Sequence, residues 1–246
     1  GGGPAGNFLA WKLAEKGLKV AVIEEDPQIG NPSCCAGIVG IRGMRELGFG
    51  EGTWTLSVLR GAEFCSPSGK VVRIESVPQA WVIDRSRFDQ ELAELALSAG
   101  ATYFMKTKCV EVLPGKEPKL KTIGTTAAEI ESAVVVGADG PTSVVARTLG
   151  LGRAEFIKCA QVEIRQQLDP GIAKIWLGKK IAPGFFSWAV PFGRSTKLGL
   201  GCTEGNPTSL LLLHMKRLGW GTRLVSRCAG LIPRFFVSRP GRGRLL

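Results

Sequence analysis

The chain has 246 residues, 44% of them hydrophobic and 22% charged, an ordinary globular composition with enough sequence for one large domain or two moderate ones. No uncharged apolar run approaches the roughly 18 residues that a membrane-crossing helix needs, so this stretch of sequence holds no helical span. Thirty-two Lys and Arg against 21 Asp and Glu give +11, which favours anionic partners such as a dinucleotide diphosphate or anionic headgroups; nucleic acid is set aside, because the one compact basic cluster, Arg234, Arg239, Arg242 and Arg244, lacks interleaved aromatics.

In chain order, GGGPAGNFLAWKLAEKG opens with Gly1, Gly3 and Gly6 in the spacing of a turn that brings backbone N–H groups to a pyrophosphate at a helix N-terminus. Pro4 suits the first helical turn, because its missing N–H would have no intrahelical partner. Phe8, Ala10, Trp11, Leu13 and Ala14 recur at helical spacing, and Gly17 ends the helix. LKVAVIEED then predicts a short buried strand ending at Glu24, 18 residues past Gly6, where a carboxylate accepts hydrogen bonds from ribose hydroxyls. Glutamate there, rather than a nearby arginine, points to FAD or NAD before NADP. Such a turn has its meaning only between a strand and a helix, so a strand is expected ahead of Gly1 and the sequence reads as a piece of a longer protein.

DRSRFDQELAELALSAGA predicts a helix with Ser86 and Asp89 as a capping box, an apolar stripe of Phe88, Leu92, Leu95, Ala96 and Ala99, and a stop at Gly100. TYFMKTKCVEVL reads as a strand and PGKEPK as a turn. SAVVVGADGPTSVVARTLG reads as a buried strand broken by Gly137 and Gly140, followed by a helix; on its own residues Asp139 is a turn aspartate. Over 155–205 the runs AQVEIRQQL, AKIWLG, FFSWAVPF and TKLGLGC alternate in the manner of an antiparallel sheet. The fold class is therefore α/β, α+β overall. A Rossmann-like nucleotide-binding domain is expected over 1–150, with a small strand insertion near 55–82, and an antiparallel substrate domain over 151–246.

Seven cysteines (Cys34, Cys35, Cys65, Cys109, Cys159, Cys202 and Cys228) are an odd number without C-x-x-C spacing, which argues against a disulfide framework and against structural zinc. Reduced thiols, a cytoplasmic chain and no metal are the resulting expectations. The single histidine, His214 in SLLLLHMKRLGW, reads as a helix-face residue, and its solitude excludes histidine metal clusters and triads.

Four stretches together resemble one family, the FAD-dependent geranylgeranyl reductases. GGGPAG with VIEED, IGNPSCCAGIVG, IDRSRFD and VGADGPTSVVARTLGL are similar to that family's FAD-domain motifs in their usual order. PGFFSWAVPFGRSTKLGLG resembles its P-x-x-Y-x-W-x-F-P motif and following G-x-G, with Pro183, Trp188, Pro191, Gly199 and Gly201 in register, Phe186 in place of the tyrosine and Val190 in place of the phenylalanine.

The resemblance, which spans nearly the whole chain, implies an FAD-binding Rossmann-like domain with an antiparallel sheet domain, as in the aromatic-hydroxylase-like flavoprotein fold. It implies saturation of C=C bonds in the geranylgeranyl chain of a lipid or related isoprenoid. By the same resemblance Ala5, Glu24, Cys35, Ala36, Ile38, Arg85 and the backbone at Cys109 contact FAD beside Gly1, Gly3 and Gly6, with Arg85 as a charge partner for the pyrophosphate and Asp139 at the cofactor. Phe186, Trp188, Pro191, Gly199 and Gly201 then line a prenyl cavity, and Cys35 stands near the flavin ring as proton donor or as packing. The implied partner is a prenylated lipid at the inner face of the membrane; the electron donor, NAD(P)H or ferredoxin, and the oligomeric state stay open. Family members begin with a strand before the glycines and continue beyond GRGRLL into V-G-D-A-A-G, so the sequence is expected to be cut at both ends. Two other readings are an FAD monooxygenase of the aromatic-hydroxylase type, which shares the GADG stretch, and a non-catalytic dinucleotide or lipid binder.

Overall fold

The computed structural model describes residues 1–151, 155–220 and 224–234, so Arg239, Arg242 and Arg244 of the basic cluster lie outside the described residues. The chain forms two compact units, one built from Gly1–Ser33 and Ser86–Glu155, the other from Cys34–Arg85 and Phe156–Arg234. The division expected at residue 150 is thereby redrawn. Residues 34–85 join the later strands because Ile172–Leu177 pairs in parallel with Thr55–Cys65, which carries the whole insertion into one sheet.

In the first unit the helix Pro4–Ala14 starts on its proline, and the chain beyond it turns at Gly17, whose φ of 77° is a left-handed value open to glycine. Its buried face is Asn7, Ala10 and Ala14, and the two alanines are small enough to bring the helix close to Val22, Ala96 and Ala101. The apolar face is thus centred on the alanines, with Phe8 and Trp11 half-buried beside it. Ala21–Ile23 pairs in parallel with Thr102–Phe104. Helix Arg85–Ser98 begins one residue ahead of the expected cap, and Ser86 Oγ donates to the Gly30 carbonyl at 2.6 Å.

TYFMKTKCVEVL splits into Thr102–Phe104 and Thr107–Leu113, because Lys106 takes a φ of 51° and turns the chain between them. The second strand opens a three-stranded antiparallel sheet with Lys119–Gly124 and Glu129–Glu131. The strand expected over 133–136 does not form. Val135 is buried on an isolated bridge, while Val134 and Val136 are 48% and 39% exposed. A continuous apolar run becomes a strand only where other strands flank it.

The second unit is one eight-stranded sheet in the order Leu224–Pro233, Phe156–Ile164, Ser195–Cys202, Phe186–Phe192, Ile172–Leu177, Thr55–Cys65, Val71–Ile83, Ile38–Gly40. Every pair is antiparallel except the one between Ile172–Leu177 and Thr55–Cys65. Ala160, Val162, Ile164, Ala189, Leu198 and Leu200 share a face, because cross-strand partners point the same way, and Leu211 and Met215 of helix Pro207–Leu218 close it. That helix starts at Asn206, whose Oδ1 accepts from Ser209 N at 3.0 Å, and stops at Gly219, with φ 65°.

Candidate functional site

The opening turn is shaped by exclusion. A Cβ on Gly1 would lie 2.3 Å from the Ala138 carbonyl oxygen and one on Gly6 2.0 Å from that of Gly1, whereas a Cβ on Gly3 would meet nothing within 4 Å. The turn is packed on one side and open on the other, at the start of an 11-residue helix whose first amides have no intrahelical acceptor and no side-chain cap. Glu24 accepts from Gly2 N at 2.5 Å on one carboxylate oxygen and from Asp26 N at 2.8 Å on the other, which leaves lone pairs for ribose hydroxyls. Asn7 pins the turn from beneath: its Nδ2 donates to Gly2 O at 2.8 Å and to Asp89 O at 3.0 Å, and Tyr103 Oη donates to its Oδ1 at 2.9 Å. Burial pushes the Tyr103 phenol up to about 12, so it stays a donor through the physiological range.

Gly1, Gly3, Gly6, Glu24, Cys109 and Asp139 line one cavity of about 1110 Å³, whose apolar wall includes Leu9, Ala10, Leu13, Val22, Val134 and Val136. Ala5 lies exposed in the helix's first turn. The Asp139 carboxylate accepts from Ser143 Oγ at 2.5 Å and from Val144 N at 2.7 Å, so its side chain caps the helix Val144–Thr148. The Cys109 thiol donates to Glu111 O at 3.6 Å, and burial pushes its pKa up. Amides, a helix start and a free-sided carboxylate suit a diphosphate with its ribose. No cluster of metal-ligating side chains occurs among the described residues.

In the second unit the register lays one row of residues across four strands: Trp188 opposite Gly199, Gly199 opposite Gln161, and Gln161 opposite Cys228. A Cβ on Gly199 would fall 2.4 Å from the Trp188 indole, and one on Gly201 2.6 Å from the Phe185 ring. The G-x-G of this strand therefore exists to let two aromatic rings lie against the sheet. Phe186 stacks on Phe185 at 4.2 Å and meets Trp188 edge-on at 6.0 Å. Pro191 is three residues past Trp188, and the alternation of a strand turns it to the opposite face, outside this group.

The segment Cys34–Ala36 is tied to the same row. Cys34 is disulfide-bonded to Cys228, and the Cys35 carbonyl accepts from Gln161 Nε2 at 3.1 Å and from Lys197 Nζ at 3.2 Å. The Cys35 thiol is free and partly buried, accepting from Gly37 N at 3.4 Å. Ala36 packs on Leu59, Val82, Ala173 and Val190. Ile38 opens the exposed edge strand, and Arg85 stands partly buried at the first residue of its helix. Lys197 is 8% exposed, its ammonium 3.8 Å from the Phe192 ring centroid; burial pulls its pKa below the ordinary lysine range, against the opposing pull of Cys35, Glu163 and Asp84.

The Cys34–Cys228 bridge corrects the expectation of seven reduced thiols, since five cysteines are free. Counting and spacing register only local pairs, whereas these two lie 194 residues apart and are brought together by strand register. Cysteine usage accordingly gives no argument for a reducing compartment. No helix among the described residues is long and apolar enough to cross a membrane. His214 does lie on a helix, but turned inward: it is 2% exposed, edge-on to Trp176 at 5.0 Å, and pushed down to about 4 by burial.

A family model described as FAD binding domain matches residues 1–180. The chain belongs to the FAD binding domain family. This FAD-binding chain is 32% identical over 252 aligned positions to a digeranylgeranylglycerophospholipid reductase of Methanothrix thermoacetophila, across 95% of its own length and 64% of the relative's. A solved geranylgeranyl bacteriochlorophyll reductase-like protein of Thermoplasma acidophilum is similar at a TM-score of 0.85 and 25% identity, over 95% of this chain and 64% of that one. An aklavinone-11 hydroxylase solved with FAD and aklavinone shares the fold at a TM-score of 0.72 and 17% identity, over 99% of this chain and 54% of that one. The chain spans less than two thirds of the length of each.

Four features of this FAD-binding chain were not singled out from its sequence: Asn7, Gln161, Lys197 and the Cys34–Cys228 bridge. Asn7 and Lys197 each carried a signal, as a polar residue at an inward position of an otherwise apolar helix or strand. Gln161 and the bridge carried none, because their partners lie far off in sequence.

Proposed function

We propose that the chain is the cofactor-binding and substrate-sheet part of a reductase that saturates C=C bonds in the prenyl chain of a lipid. The observation that carries this reading is the pair of strand glycines, 199 and 201, cleared for the rings of Trp188 and Phe185, which makes an apolar bed suited to a flexible hydrocarbon. The Methanothrix relative supplies the substrate class, since its name makes it a reductase of a digeranylgeranyl lipid.

Bound and reduced, FAD supplies a hydride to one carbon of the double bond. The chain's own residues bind, orient and protonate. The amides of the Gly1–Gly6 turn hold the diphosphate, Glu24 holds the ribose, and Arg85 offers the diphosphate a charge. Ala5, Ala36, Ile38 and the backbone at Cys109 complete the cofactor's surroundings, and Asp139 keeps its loop in shape. Trp188 over Gly199, and Phe186 stacked on the Phe185 that covers Gly201, orient the prenyl chain and exclude water, with Pro191 bracing the strand from its other face. Cys35 Sγ holds the proton that the second carbon takes up. The charge of +11 favours contact with an anionic membrane surface, where such lipids reside.

The test is anaerobic turnover by the whole gene product loaded with FAD, with geranylgeranyl diphosphate as probe and either NAD(P)H or reduced ferredoxin as donor. The expected product gains one pair of hydrogens per saturated bond and needs no oxygen. A product that carries a hydroxyl and forms only in air would replace this reading with the monooxygenase that the hydroxylase neighbour's fold allows. Tight FAD binding without turnover of any prenyl compound would leave a binding protein.

A further inference from the structure

The sheet face given over to aromatic rings also carries a small polar assembly. Trp188 Nε1 donates to Gln161 Oε1 at 3.1 Å, and Gln161 Nε2 donates to the Cys35 carbonyl at 3.1 Å. The carboxamide can face only one way. An indole N–H is a donor and a peptide carbonyl an acceptor, so a flipped amide would set two donors against each other at Trp188 and two acceptors at Cys35. Gln161 is 5% exposed, and its nitrogen also lies 3.9 Å from Cys228 Sγ of the bridge.

The segment that bears Cys35 is fixed at both ends. Cys34 is bonded to Cys228, and the Gly37 carbonyl accepts from Ile83 N at 2.7 Å. Between these points the Cys35 carbonyl is held by Gln161 and Lys197. The direction of that carbonyl sets the rotation of the peptide, and with it the place of the adjoining side chain.

We infer that Gln161 is a positioning residue that couples the Trp188 indole to the peptide of Cys35, so that any shift of the indole is transmitted to the thiol. The assignment of Trp188 to the prenyl chain belongs to the proposed reading, and on that reading the coupling lets an arriving chain set the proton donor in place. The coupling itself is read on protein without ligand, so it stands or falls separately from the substrate.

The experiment is a double-mutant cycle on the full chain without reductant, following the rate at which iodoacetamide alkylates Cys35 by peptide mass mapping, with Cys65 as internal reference. Trp188→Phe keeps a ring and deletes the N–H; we expect it to change the Cys35 rate about fivefold and to have less than about twofold further effect once Gln161→Met is present. Gln161→Leu removes both hydrogen bonds without adding a charge, and should act on the rate as Gln161→Met does. If Gln161→Met does not fold, as judged by circular dichroism, the cycle is closed with Gln161→Leu. An equal effect of Trp188→Phe with and without Gln161, or no effect in either background, overturns the inference: a glutamine that merely satisfies the carbonyl gives that result.

Discussion

The two faces of the eight-stranded sheet are made of alternate residues of the same strands, yet they are stabilised differently. On the helix-covered face Ala160, Val162, Leu198 and Leu200 meet Leu211 and Met215, and the one histidine buried with them has no hydrogen-bond partner on either ring nitrogen. On the other face Gln161, Lys197 and the Trp188 N–H are each hydrogen-bonded. The first face holds the unit together through buried apolar area: its Ser187 and Thr196 hydroxyls are satisfied by backbone carbonyls alone, and the unpartnered His214 is a cost. The second spends sheet surface on groups whose positions are set by direction, which is what a binding or proton-transfer site requires.

Four measurements press on this contrast. The largest effect belongs to the helix-covered face: Leu211→Ala should cost about 3 kcal/mol in a urea titration, from lost transfer energy and a residual cavity, and leave Cys35 alkylation unchanged. A similar size is expected for His214, but as a pH effect. Its folded pKa lies near 4, below the ordinary 6.5, so the unfolded chain binds the proton first; stability is whole at neutral pH and falls by roughly 3 kcal/mol as pH drops from 6.5 to 4. His214→Phe should flatten that part of the pH profile. On the other face, Gly199→Val should cost about 2 kcal/mol by overpacking and should also shift the tryptophan emission, since Trp188 has to leave its seat. The smallest effect is expected for Leu212→Ala, one residue from Leu211 on the exposed side of the helix, with a change within about 0.5 kcal/mol. Comparable losses from Leu211→Ala and Leu212→Ala would show that the helix is seated differently.

Part of the fold could be read directly along the chain. The glycine turn, its helix and Glu24 were legible because each depends on backbone conformation within a few residues, and Pro4 and Gly17 stand where helix ends call for them. The strand runs after residue 155 were legible from alternation, with the aromatic motif among them. Where the reading failed, a neighbour decided the outcome. Residues 133–136 are as apolar as a strand but gain only one bridge, and Thr55–Cys65 looked like a small insertion until its parallel partner at Ile172–Leu177 drew it into the large sheet.

What the sequence determined by itself is therefore the local chemistry: amides at a helix start, a carboxylate at a strand end, and glycines spaced two apart beside aromatic residues. The tertiary structure alone decided which distant groups meet: Cys34 with Cys228, Gln161 with the Cys35 peptide, and Asn7 beneath the turn with Asp89 and Tyr103. The physical reason is register and packing. Shifting a strand by one residue turns each of its side chains to the other face, so the composition of a face is settled only when the partner strand is in place.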